Sequence, residues 1–148
     1  MGRFGLGFAI AAAIAVTLAG CSEHRPPVGR WEALYEAADV MIAARLEIAP
    51  NGAIHVSAPN AFMDFAAMDE GQRAGMRARL ESELARAWPS VSSLALDFDG
   101  STFRKPGGVA PQLEWDGARM AMIVYPGTHP SIRVPLQRVK DFGDSVGP

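Results

Sequence analysis

The sequence predicts an α+β fold: a bent antiparallel sheet or incomplete barrel of seven or eight hairpin-connected strands with one covering helix. Three observations carry this. Short runs of alternating apolar and polar residues fill most of the chain, Asn-Gly and Asp-Gly pairs separate several of them, and one segment alone turns to a helical period.

The first run sets Trp31, Ala33 and Tyr35 on one face against Glu32 and Glu36. Val40, Ile42, Ala44, Leu46 and Ile48 follow, with Arg45 and Glu47 opposite. Pro50-Asn51-Gly52 then leads to Ile54 and Val56. Asn-Gly between alternating runs signals a hairpin, because both residues tolerate positive φ. Leu94, Leu96 and Phe98 pass through Asp99-Gly100 to Thr102–Arg104, and Leu113 and Trp115 pass through Asp116-Gly117 to Met120, Met122 and Val124. Ile132, Val134 and Leu136 close the series, opposite Arg133 and Gln137. Strands joined as hairpins are antiparallel.

Between these runs, Met76, Leu80, Leu84 and Trp88 fall four apart, one stripe of a helix over residues 69–88. Asp69 and Gln72 have the spacing of a capping box, and Pro89 stops the helix. Arg77–Glu81 and Arg79–Glu83 are expected to pair across one turn. Gly71 and Gly75 each weaken the first turns by about 1 kcal/mol relative to Ala. The stripe reads as core packing on the sheet.

The 148 residues suit one domain. Residues 1–20 differ in kind: Arg3 is the one charge before an apolar run from Phe4 to Ala19, the pattern of a secretory signal peptide. That run is shorter than the roughly 20 residues a helix needs to cross the hydrocarbon core. Losing Arg3 with the peptide takes the net charge from −2 to −3, so no basic surplus is present for nucleic acid. Residues 21–29 read as a lipidated tether, of which the eight residues 22–29 reach at most roughly 28 Å. A single α+β domain over 30–140 and a tail over 141–148 complete the chain.

Leu18-Ala19-Gly20-Cys21 resembles the lipobox of bacterial lipoproteins. The resemblance implies cleavage before Cys21, a diacylglyceryl group on its thiol and acylation, commonly with palmitate, of the new amino group. Cys21 is the chain's sole cysteine, so an intramolecular disulfide cannot account for it. Two or three acyl chains hold a protein firmly to a bilayer where one does so marginally. The implied localisation is the bacterial cell envelope. Ser22, by resemblance to enterobacterial sorting, favours the outer membrane facing the periplasm over the inner membrane.

Catalytic chemistry is harder to find. Leu94 to Thr102, with Asp97, Asp99 and Gly100, resembles the first motif of haloacid-dehalogenase-type phosphatases, which would make Asp97 a nucleophile and Asp99 a general acid. Phe142-Gly143-Asp144-Ser145 resembles that family's late metal-binding motif. Too few residues follow Thr102 for the remaining βα units, and they alternate as hairpins, so Asp99-Gly100 is expected to be a turn. His24, His55 and His129 lack partners at metal-ligand spacing, and no metal or cofactor is expected.

Gly29-Arg30-Trp31 followed by a hairpin resembles the start of lipocalin-like barrels, where Gly-x-Trp closes one end and an apolar ligand fills the interior. A helix between the third and fourth strands departs from the lipocalin order. Trp31, Tyr35, Trp115 and Tyr125 are the candidate lining of such a pocket, with core packing as the alternative. The expected function is a non-enzymatic binding or scaffolding role for a membrane-anchored lipoprotein that meets the bilayer through Cys21 and an envelope protein as partner. The alternatives are a carrier or sensor of a small apolar ligand, and a hydrolase without an identifiable motif.

Overall fold

The computed structural model describes residues 24–125 and 130–143, so Cys21, His129 and Asp144 lie outside the described residues. Nine strands form: β1 (Gly29–Glu36), β2 (Val40–Ile48), β3 (Ile54–Ser57), β4 (Asn60–Phe62), β5 (Asp97–Phe98), β6 (Thr102–Arg104), β7 (Pro111–Trp115), β8 (Met120–Val124) and β9 (Ile132–Val139). One α-helix, α1 (Glu70–Ala87), sits between β4 and β5. Eight strands follow one path, β3-β2-β1-β9-β8-β7-β6-β5, and every neighbouring pair is antiparallel. The sheet curls into a half-barrel with one covering helix, the fold class the sequence predicts. Its two edges touch at a bridge where Leu94 N donates to Ile54 O at 2.7 Å.

The turns explain the path. In the β2–β3 hairpin Pro50 and Asn51 occupy the turn and Gly52 alone takes positive φ, +84°. Ala49 and Ala53 remain paired across it, and Asn51 Oδ1 accepts from Ala53 N at 3.0 Å. Gly100 and Gly117 supply the same left-handed step in the later hairpins, at +103° and +96°. The Asp before each caps its own turn, so only the glycine of each pair needs the conformation that only Gly adopts freely.

The strand that sequence periodicity missed is β4. Pro59 interrupts the edge beside β2: β3 pairs with its second half and β4 with its first, while Pro59 O still accepts from Ala43 N. A three-residue strand is too short to show a period.

Two apolar layers result. Trp31, Ile42, Leu46, Phe103, Leu113 and Val134 point into the curl of the sheet, all within 1% of full burial. Outside it, Leu80 and Leu84 of α1 pack on Met41 and Ala43 of β2, flanked by Met76 and Trp88. The helical stripe thus covers the outer face, which is why β2 is buried on both sides and reads as a nearly continuous apolar run. Asp69 and Gln72 form the expected capping box, with reciprocal bonds of 2.8 and 3.0 Å. Arg79 pairs with Glu83, but Arg77 turns from Glu81 to Glu70 and to Glu36 of β1. That contact ties helix to sheet, which a pair within the helix would not do.

The chain is ordered past both ends of the expected domain. His24 lies against the Asp99-Gly100 turn, where its Nδ1 is 2.9 Å from the place a Gly100 Cβ would occupy. Val28 O accepts from Arg138 at 2.6 Å. At the other terminus Phe142 packs on Trp88, and Gly143 N donates to the Glu32 carboxylate at 3.0 and 3.2 Å. Residues 141–143 therefore belong to the packed domain.

Candidate functional site

The pleat decides where the four aromatic candidates go. Trp31 and Tyr35 both point inward from β1, but four residues of strand separate them by roughly 13 Å. Trp31 is buried to 1% exposure and meets Trp115 edge-on, with ring centroids 6.2 Å apart. Arg138 lies over the Trp31 ring at 5.2 Å. This pair closes the end of the half-barrel where residues 24–28 arrive. It is solid packing.

Tyr35 and Tyr125 lie at the opposite end, the mouth. There β1 runs out at Glu36, β2 starts at Val40 beside Phe62, and Val124 pairs with Ile132. Together with Asp39, Val40, Phe62 and Ile132 the two tyrosines line a cavity of about 500 Å³. The four candidates thus divide into two pairs, and only Tyr35 and Tyr125 share a cavity.

Tyr125 crosses this mouth. Its Oη donates to Asn60 Oδ1 at 2.8 Å, and its ring tilts against Phe62 with centroids 5.6 Å apart. It is the one non-glycine residue of positive φ among the described residues, at +57°. An L side chain there costs about 1–2 kcal/mol. A second recess of about 200 Å³, between Val56, Leu94, Leu96 and Met122, reaches the other side of Tyr125. Phe62, on the cavity, is 55% exposed and its neighbour Met63 44%, so an exposed apolar patch adjoins the mouth. Asn60 and Phe62 belong to the strand without a readable period, and Asp39 sits in the β1–β2 connection. No sequence signal marked them.

A larger groove of about 850 Å³ runs on the outer face between α1 and β1. Glu32 lies at its floor, buried, with Arg45 Nε 3.7 Å away and Gly143 N bonded to both carboxylate oxygens. Arg45 also lies over the Phe142 ring at 5.0 Å.

The phosphatase-like stretch is a turn. Asp99 accepts from Ser101 N at 2.9 Å, Thr102 N at 2.7 Å, Thr102 Oγ1 at 2.7 Å and Arg104 at 2.8 Å. Those bonds, the Thr102 hydroxyl foremost, hold its carboxyl well below the usual carboxylate range. A carboxylate so held is a poor general acid near neutral pH. Asp116 is lowered for the same reason by Ala118 N and Arg119 N. Among the described residues no three His, Cys, Asp or Glu side chains gather as metal ligands, and no helix is long and apolar enough to cross a membrane.

Compared with protein-family models, with curated proteins and with solved structures, the chain has no match.

Proposed function

We propose that this chain is a lipid-anchored, non-catalytic binding protein of the bacterial envelope, and that it binds at the mouth between Tyr35 and Tyr125. The observation that carries the reading is the opposition of the two ends. Residues 24–28 reach the sheet beside Trp31, while the apolar cavity opens beside Glu36 at the far end of β1, roughly 23 Å along the strand. A protein held by Cys21 presents the Trp31 end to the bilayer and the mouth to the periplasm. His24 and Val28 rest on the domain, which shortens the free tether and keeps that orientation.

The cavity favours a small ligand over a flat protein partner. About 500 Å³ lined by three aromatic rings falls within the size range of ligand sites, and it is concave where protein interfaces tend to be broad. Trp31 and Trp115, solidly packed, contribute rigidity there and no binding surface.

Crosslinking in living cells tests the reading. A photo-reactive amino acid is placed at Phe62, on the mouth, or at Ala118, exposed in a turn at the Trp31 end. The proposal expects a small-mass adduct from position 62 and none from 118. A protein crosslink from 62 favours the scaffolding role instead, and equal silence at both positions contradicts a binding mouth.

A further inference from the structure

We propose that the mouth selects an organic cation, a quaternary or protonated amine carried on an apolar body; this rests on the mouth being the binding site. Three aromatic residues, Tyr35, Phe62 and Tyr125, line the cavity, and the last two stand 5.6 Å apart with their planes inclined at 47°. Aromatic faces are electron-rich, and several of them around one concavity attract a cation while tolerating its methyl groups. Beside them is Asp39, exposed on the cavity rim. Among the described residues its carboxylate has no ion pair or side-chain hydrogen bond, and no Lys or Arg lines the cavity.

By comparison, several acids of the sheet and its turns carry arginine partners, while Asp97 of β5, away from the cavity, has none among the described residues. Glu36 pairs with Arg77, Glu47 with Arg30, Glu114 with Arg133 and Asp99 with Arg104. Asp39 thus lines an aromatic concavity in which none of the described lining residues carries a positive charge. A neutral ligand could offer it a hydrogen bond but no charge, and an anion would be repelled. A cation gains from rings and carboxylate together, each cation–π contact contributing about 0.5–2 kcal/mol according to how dry the site is. The cavity exceeds a single ammonium headgroup, which is why the ligand also carries apolar substance into the space beside Val40 and Ile132.

The test compares the butyl ether of choline, a trimethylammonium on an apolar body, with its neutral carbon isostere, in which tert-butyl replaces trimethylammonium. Binding is read by saturation-transfer NMR on the mature lipidated protein in phosphatidylcholine-free nanodiscs, with empty nanodiscs subtracted. The choline ether is expected to bind at least tenfold more tightly than the isostere, and Asp39→Asn, an exposed and isosteric change, to weaken the choline ether at least fivefold without moving the isostere. Phe62→Leu should weaken the choline ether likewise. Equal binding of the two probes, or indifference to Asp39→Asn, overturns cation selectivity and leaves the mouth as an apolar site. Absence of saturable binding by either probe overturns the inference together with the binding mouth.

Discussion

The ring of Phe142 meets the ring of Trp88 edge-on, with centroids 4.8 Å apart and planes at 69°. Trp88 caps the end of α1, and Phe142 follows β9, so this contact clips the helix to the sheet at residues far apart in sequence. Arg45 and Arg30 lie over the same ring, at 5.0 and 5.8 Å. Phe142→Ala should lower stability by about 1–2 kcal/mol, since edge-on aromatic pairs contribute about 0.5–1.5 kcal/mol beyond the area they bury. Urea unfolding would show it as a lower midpoint with an unchanged slope.

Trp31 is the wedge of the closed end, and its substitution should be far more costly. Trp31→Ala removes a side chain 1% exposed from between Trp115 and Arg138 and should cost about 3–5 kcal/mol. Thermal unfolding of the variant checks this; a loss below about 1 kcal/mol would mean the end is not tightly packed.

The turn acids make stability depend on pH in a definite sense. Asp99 has a folded pKa depressed by the Thr102 hydroxyl and the Ser101 and Thr102 amides. A depressed carboxylate stabilises the fold above its unfolded pKa, about 3.9, and that contribution is lost as pH falls through the folded value. Asp99→Asn should therefore be less stable than the wild type above about pH 5, with the gap narrowing steadily below about pH 4. Unfolding midpoints across that range supply the check. A gap constant with pH would mean the ionised form of Asp99 is not what the turn holds.

Tyr125 and Asn60 should couple. Their hydrogen bond at 2.8 Å joins the end of β8 to β4 across the mouth. A double-mutant cycle of Tyr125→Phe and Asn60→Ala is expected to give a coupling of about 1 kcal/mol. Additive single effects would show that the bond to Asn60 does not help hold Tyr125 at the mouth.

What the sequence revealed follows from the range of each signal. The stripe Met76–Leu80–Leu84–Trp88 and the Asp69 box are local patterns, and both appear where the spacing puts them. The glycine turns are local too, although only the glycine of each pair takes positive φ. Pairing of β1 with β9 is remote, and no local period announces it. Neither does β4, whose three residues supply Asn60 and Phe62 to the mouth. Trp31, Tyr35 and Trp115 stand on the apolar face of their runs. Tyr125, by contrast, follows Val124 out of phase with Met120, Met122 and Val124 and takes a positive φ that no period announces. The division of the four aromatics between two ends depends on strand length, which separates Trp31 from Tyr35, and on β8 running from the closed end to the mouth.

The central claim is an anchored protein, and labelling with palmitate tests it most directly. The full chain and a Cys21→Ser variant are expressed side by side in a Gram-negative host with labelled palmitate, and membranes are separated from soluble material. The account predicts label and membrane retention for the wild type and loss of both for the variant. A wild type without label, or a variant retained on membranes equally well, would contradict it.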